Sequence, residues 1–338
     1  MKMFIKLIII LVLILFVSDI AASFYFYDLS MARTKKEFLR NDSALMSTSS
    51  VEATSALNAT ADALPANAKV FSSAVIIEDE KAEIDWFNKQ PYEEVNITSD
   101  DGLNLVGYYL PAVVPSGKTA ILAHGYSAQG TYMGSYAKIY YDMGYNVLLP
   151  DDRGHGKSDG NYIGFGWADR KDYIKWINYI IDSVGRDSQI ILHGVSMGGA
   201  TVLMTSGENI PDNVKAIVSD CAYTSVWDEL EYQIKRMYNL PAFPILNTTS
   251  FLSKIKAGYS FEEASALKQV KSSKTPTLFI HGDADKFVPF NMVNELYQAC
   301  SSEKDIFIVP GAGHGDAYNT DTAGYKNKVR EFVNKYIK

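Results

Sequence analysis

The chain has 338 residues, a formal net charge of −7 and 47% apolar residues, enough for a large core in one large or two average domains. Its acidic balance and scattered Lys and Arg exclude the basic patch of a nucleic-acid binder. The two cysteines, Cys221 and Cys300, are too few for a disulfide framework and read as buried small hydrophobes, and no CxxC or HExxH spacing points to a metal.

Lys2 and Lys6 precede an uninterrupted apolar run, Leu7 to Val17, and an aromatic cluster follows Ser18-Asp19 as far as Tyr27. The core run alone has the length of a signal-peptide h-region, with Ala21-Ala22-Ser23 as a possible cleavage site. Counted from Phe4 to Tyr27, the segment is long enough to cross ~30 Å of hydrocarbon, which needs ~20 residues. Residues 1–27 therefore read as a signal anchor or a signal peptide, with a buried N-terminal helix as the third possibility. Lys2 and Lys6 favour an inside N-terminus, while Arg33, Lys35, Lys36 and Arg40 oppose it. The expectation is a single-pass membrane protein with its larger part outside the cytoplasm, or a secreted one. Residues 28–69, rich in Ser, Ala, Thr and Asn from Asn41 to Ala68, read as a tether.

The globular part is expected over 70–338. Glu93–Thr98 and Leu103–Leu110 alternate apolar with polar residues around Ser99-Asp100-Asp101-Gly102, a hairpin signal. Six short apolar runs follow, separated by helical patterns: Thr119–Ala123, Asn146–Pro150, Gln189–His193, Ala216–Asp220, Thr277–Ile280 and Ile306–Val309. This pattern predicts an eight-stranded, mostly parallel sheet covered by helices on both faces. One connection is too long: about 222–270 carries Trp227, Tyr232, Tyr238, Phe243 and Phe251 at helical spacing, broken by Pro241 and Pro244. It reads as a lid insertion, or as a plain helical pair packed on the sheet.

Gly194-Val195-Ser196-Met197-Gly198 lies between the run Gln189–His193 and the helix-compatible stretch from Ala200. A serine between two flanking glycines, after a strand and before a helix, has the layout of a nucleophile elbow. A serine hydroxyl needs a base to take its proton. Of the five histidines, His314 follows the last strand in the loop Pro310-Gly311-Ala312-Gly313-His314-Gly315, and it comes after every candidate acid. In the order Ser, acid, His that the resemblance named next implies, His314 is the base, and His193 and His281 read as structural residues.

With these motifs the chain resembles the α/β-hydrolases, and is most similar to membrane-anchored bacterial serine hydrolases near the monoacylglycerol-lipase and serine-aminopeptidase-like group. The resemblance runs from about Glu93 to the C-terminus. It implies an α/β-hydrolase fold with a helical lid, and a triad acid after the penultimate strand, where His281-Gly282-Asp283-Ala284-Asp285 offers two aspartates. The family's spacing to a Val-Pro pair, here Val288-Pro289, favours Asp285, with Asp283 shaping the turn. One oxyanion donor is expected at the Met197 N–H. The other is expected at the Tyr126 N–H, in His124-Gly125-Tyr126-Ser127, which resembles the family's His-Gly-X motif. Asp151-Asp152-Arg153-Gly154-His155-Gly156-Lys157-Ser158 resembles a family loop read here as structural, with Arg153 tying loops together.

The expected activity is hydrolysis of a carboxylic ester with an apolar acyl or aryl part, through an acyl-enzyme and without metal or cofactor. An aminopeptidase-like amide hydrolase and a non-catalytic cell-envelope binding module are the alternatives. Tyr238 and Phe243, beside the prolines, are the expected pocket walls. The expected partners are a small-molecule ester or amide substrate and the membrane, with the oligomeric state open.

Overall fold

The computed structural model describes residues 1–34, 36, 39, 42, 45, 83 and 85–338. Helix α1, Lys2–Ser30, precedes the sheet. The hairpin strands β1 (Glu93–Thr98) and β2 (Asn104–Leu110) pair antiparallel, with Glu93 opposite Tyr109 and Thr98 opposite Asn104. Their turn closes as Ser99 Oγ donates to Asp101 and accepts the Leu103 N–H. Then come β3 (Lys118–Ala123), α2 (Gly134–Tyr141), β4 (Asn146–Pro150), α3 (Asp169–Val184), β5 (Gln189–Val195), α4 (Met197–Ser206) and β6 (Val214–Asp220). The long connection holds α5 (Val226–Tyr238), α6 (Ile245–Ala257) and α7 (Ala266–Gln269). β7 (Thr277–Gly282), α8 (Asn291–Ala299), β8 (Lys304–Val309), α9 (Ala317–Thr320) and α10 (Thr322–Asn334) complete the chain.

The strands lie in the order β1-β2-β4-β3-β5-β6-β7-β8. From β4 to β8 every pairing is parallel, and β2 joins this block antiparallel to β4. This is the eight-stranded, mostly parallel sheet that the apolar runs predict. Strands buried on both faces need apolar residues at consecutive positions, and β4 is buried along its whole length. Ile121 and Ala123 of β3 face a core shared with Trp176 of α3 and Leu296 of α8. Ala120 and Leu122 face the opposite core, shared with Tyr140 of α2 and Phe332 of α10.

Capping fixes where α5 begins and ends. Ser225 Oγ accepts the Asp228 N–H at the N-cap, Asp228 and Glu229 lie in the first turn, Lys235 and Arg236 in the last, and Asn239 closes the helix in the left-handed region.

The segment after α1 departs from a free tether. Side chains of α1 are exposed up to Ser18, but Phe26, Tyr27 and Met31 are buried. Asp19 Oδ2 accepts from Thr248 Oγ1 of α6 at 2.6 Å. Ala32 bridges Tyr162, and Arg33 donates to the Ser158 and Gly156 carbonyls at 2.6 and 2.7 Å. Buried Lys36 donates to the Leu29 and Ala32 carbonyls, both at 2.7 Å, closing the end of α1. The described part of 28–42 is thus docked: Met31 and Leu39 are buried, Arg33 bonds carbonyls of the folded body, and Lys36 closes back on the end of α1. The rest of the expected tether, including all of 46–69, and the expected start of the globular part at 70 lie outside the described residues.

Candidate active site

Four strand ends converge on one point. Ser196 follows β5 at φ 57°, ψ −116°, a strained conformation for a residue with a side chain. The turn is possible only with glycine on either side. A Cβ on Gly194 would lie 2.1 Å from the Gly198 carbonyl oxygen, and one on Gly198 would lie 2.0 Å from the Ala123 carbonyl oxygen. So tight a turn lifts Ser196 above the C-terminal edge of the sheet.

The loop after β8 brings His314 Nε2 to 2.8 Å from Ser196 Oγ. His314 Nδ1 lies 2.8 Å from Oδ2 of Asp285, which sits in the loop after β7. Asp285 Oδ1 accepts the N–H groups of Phe287 and Val288 at 2.8 and 2.9 Å. On the other oxygen, His281 Nε2 approaches Oδ2 at 3.2 Å while also facing the Val288 carbonyl at 3.1 Å. Asp283, the other aspartate in that loop, accepts the Gly311 N–H at 2.6 Å and so ties the Asp285 loop to the His314 loop. The structure therefore joins Ser196, His314 and Asp285 in one hydrogen-bonded chain and leaves Asp283 outside it.

Burial opposes charge on Asp285, but His314 and the hydrogen bond from His281 hold its carboxyl well below the usual carboxylate range. Burial likewise opposes a charged His314, and the Asp285 carboxylate overcomes it, so the imidazolium is held well above its ordinary range.

Met197 is the first residue of α4, so its N–H has no partner inside the helix. Tyr126 lies in the loop after β3, and among the described residues its N–H meets no backbone carbonyl. That loop is held by two imidazoles acting as acceptors: His155 Nε2 takes the Ser127 N–H at 3.2 Å, and His124 Nε2 takes the Asp152 N–H at 3.0 Å. Arg153 forms a two-pronged ion pair with buried Asp172, both contacts at 2.8 Å, and reaches Asp101 in the hairpin turn at 2.9 Å. It joins hairpin to helix. His193 is bonded between Tyr140 and Tyr325 at 3.0 and 3.1 Å, and burial lowers its imidazole to about 3, which suits a neutral core residue.

An apolar cavity of about 790 Å³, its open mouth included, lies over Ser196 and Met197. α5 covers it with the stripe Glu229, Leu230, Gln233, Ile234, Met237 and Tyr238. Tyr238 thus lines the cavity. Phe243 does not: it is 74% exposed, because α6 starts directly after Pro244 and packs on α1, which leaves that turn facing solvent. The wall expected from Phe243 is supplied instead by Phe26 and Leu29 of α1 and by Leu39.

Three further residues stand at the site that the sequence does not assign to it: Glu229, Cys221, which reads as a buried hydrophobe, and His281, which reads as structural. Glu229 lines the cavity with Oε1 accepting from Gln233 at 2.6 Å and a buried Oε2 that has no partner among the described residues, and burial pushes its carboxyl up to about 8. An acidic residue within an apolar i, i+4, i+8 stripe is the signal that could have found it. Cys221, at φ 43° after β6, is buried with its sulfur, an Asp285 oxygen and a His314 nitrogen all within 4.8 Å of one another. Burial raises its thiol to about 11, so it is a neutral neighbour of the imidazole. These three groups are the ones among the described residues that could hold a metal, yet the Asp285–His314 bond already occupies both of those partners. His281, the third of the further residues, brings Nε2 to 3.2 Å from Asp285 Oδ2.

Sheet order, elbow and loop positions define an α/β-hydrolase. A family model, the prolyl oligopeptidase family, matches residues 131–338, more than half of the chain and including Ser196, Asp285 and His314. The chain belongs to that family. It is 29% identical over 238 residues to YqkD of Bacillus subtilis, covering 70% of this chain and 77% of the relative. A Saccharomyces cerevisiae membrane protein, YNL320W, is 25% identical over 245 residues, covering 72% of this chain and 80% of its own. Among solved structures, the Pyrococcus furiosus esterase Pf2001 superposes with a TM-score of 0.62 at 24% identity, over 75% of this chain and 94% of that one, a likeness of fold.

Proposed function

We propose that the protein is a serine hydrolase that cleaves a carboxylic ester with an apolar acyl or aryl part. The observation that carries this reading is the bonded chain Ser196–His314–Asp285 opening into an apolar cavity. Ser196 Oγ attacks the ester carbonyl while His314 Nε2 takes its proton, and Asp285 holds the tautomer that leaves Nε2 free to accept. The Tyr126 and Met197 N–H groups receive the developing oxyanion, each donor worth ~3–4 kcal/mol. His314 then gives its proton to the departing alcohol, leaving an acyl-enzyme. Water repeats the sequence, transferring its proton to His314 as it attacks the acyl carbonyl, and Ser196 leaves with that proton.

A fluorophosphonate probe tests this directly. It should label Ser196, and Ser196→Ala should abolish both labelling and ester turnover. Absence of labelling would favour a binding module instead.

Glu229 supports a second reading, amide hydrolysis of an aminoacyl substrate. Its carboxyl oxygen, without a partner among the described residues, suits an ammonium group, and the family's name is that of peptidases. Faster turnover of an aminoacyl amide than of a matched acyl ester, lost in Glu229→Gln, would select it.

α1 is one helix long and apolar enough to cross a membrane, and we read it as a retained signal anchor with the hydrolase domain outside the cytoplasm. Docking of its last third on α6 supports retention, and Lys2 and Lys6 support an inside N-terminus. Arg33 and Lys36, which oppose that orientation by charge, are occupied in the carbonyl contacts described above. Protease added to intact cells should reach the hydrolase domain; complete protection would overturn the orientation.

A further inference from the structure

We propose that the last turn of α1 is a working wall of the substrate pocket, and that the pocket is filled from the bilayer by a single-chain lipid ester resident there. The proposal rests on the ester-hydrolase and anchor readings above.

The first support is continuity. Phe26 and Leu29 line the same cavity as Ser196, and they belong to the same uninterrupted helix as the exposed apolar run. No joint separates the segment suited to lipid from the segment that bounds the site. The Ser30 carbonyl also accepts the Tyr126 hydroxyl at 2.7 Å. The same turn is therefore fastened to the loop whose N–H is the proposed oxyanion donor.

The second support is length. Among the described residues, α1 is exposed from Phe4 to Ser18 and Asp19 makes its first polar contact with α6. At ~1.5 Å per residue that exposed run reaches only about 22 Å, short of the ~30 Å of a bilayer's hydrocarbon. The shortfall disappears if the body's rim enters the lipid boundary. That rim is apolar where it adjoins α1: Phe251 and Ile255, one turn apart on α6, are each 66% exposed, and Phe24 and Tyr25 of α1 are exposed as well. Lys256 completes the arrangement, with its ammonium 4.6 Å from the Tyr27 ring and 5.3 Å from the Phe24 ring. An aromatic pair and a lysine beside an apolar rim are what a headgroup layer accommodates. A pocket wall held at that depth meets acyl chains already in the leaflet. The apolar lining suits an acyl chain, with the ester carbonyl at Ser196.

The test uses the full chain reconstituted in vesicles of phosphatidylcholine and phosphatidylglycerol. The readout is the ratio of kcat/KM for 4-methylumbelliferyl palmitate in the vesicles to that for the acetate in solution. Phe251→Glu with Ile255→Glu, both surface changes, should lower the ratio about tenfold or more, equivalent to ~1.4 kcal/mol. Leu29→Trp, which fills the pocket from the α1 side, should lower it and move the preferred acyl length toward shorter chains. Circular dichroism of each variant confirms that the fold is kept, and Phe26→Ala offers a second wall variant should Leu29→Trp fail to fold. An unchanged ratio in both the rim and the wall variants overturns the proposal. Hydrolysis of neither ester by the wild-type chain would instead overturn the ester-hydrolase reading beneath it.

Discussion

Asp285→Asn is expected to damage the enzyme more than Asp285→Ala, and the reason lies in how its four hydrogen bonds are divided. Oδ1 faces two backbone N–H groups, those of Phe287 and Val288 at 2.8 and 2.9 Å. Backbone donors cannot become acceptors, so the carboxamide of an asparagine must place its oxygen there and its NH2 at the Oδ2 position. That NH2 then points at His314 Nδ1, 2.8 Å away, and forces this nitrogen to accept. The proton moves to Nε2, the atom that must take the proton of Ser196 at 2.8 Å. The same NH2 faces His281 Nε2, whose proton is shared between Oδ2 and the Val288 carbonyl, so two donors would meet there. A fixed wrong tautomer is worth a ~10⁴-fold loss of kcat in the serine-protease example, which is ~5.4 kcal/mol at ~1.36 kcal/mol per tenfold. Alanine removes orientation but leaves His314 free to choose its tautomer, so its loss should be smaller. The assay is kcat on a short-chain chromogenic ester, with thermal unfolding to confirm that each variant folds. An Asn variant as active as the Ala variant, or an Asp283→Asn variant worse than either, would refute the assignment.

The pH dependence has a definite sign. Turnover needs neutral His314, and the Asp285 carboxylate favours the imidazolium, so kcat/KM should rise with pH along a limb lying above the ordinary imidazole value of 6.5. Asp285→Ala removes that charge and should shift the limb to lower pH; a shift upward would contradict the assignment. Gly198→Ala must push a methyl group to within 2.0 Å of the Ala123 carbonyl oxygen, and is expected to cost ~3 kcal/mol or more, as severe overpacking does; denaturant midpoints within error of wild type would show that the elbow yields. Tyr238→Ala should raise KM for long-chain esters more than for acetyl esters. Phe243→Ala, at a side chain 74% exposed, should leave that comparison unchanged.

What sequence makes legible here is what neighbouring residues decide. The strands are runs of a few consecutive apolar side chains, the elbow is five residues long, and the order of Ser196, Asp285 and His314 along the chain is itself the motif. Each depends on contacts within a loop or on a topology that short connections impose. The wall residues depend on something else. Phe26 reaches Tyr238, with ring centroids 5.2 Å apart, across more than two hundred residues, and nothing local to either announces the pairing. Phe243 was expected at the site because two prolines suggest a turn; where that turn points is decided by α6 packing against α1. Cys221 reads as an ordinary apolar residue until the ends of β6, β7 and β8 are brought side by side.

A membrane anchor on a hydrolase usually invites separation into two independent parts, a device for retention and a device for chemistry. Two polar paths argue against that separation here. One runs from Ser30 at the end of α1 to the Tyr126 hydroxyl, and so to the loop that carries the proposed oxyanion donor. The other starts at Asp42, which pairs with Arg236 at 2.6 Å; Arg236 donates to Gln233, and Gln233 donates to the cavity carboxyl of Glu229. One path starts in the last turn of α1 and the other in the segment that follows it, and both end at residues, Tyr126 and Glu229, that line the cavity over Ser196. Stabilising hydrogen bonds of this kind contribute only about 1 kcal/mol apiece, but a donor that must meet a developing oxyanion is sensitive to small displacements. On the proposed mechanism, the docking of α1 is therefore expected to bear on rate and selectivity even where it adds little to stability.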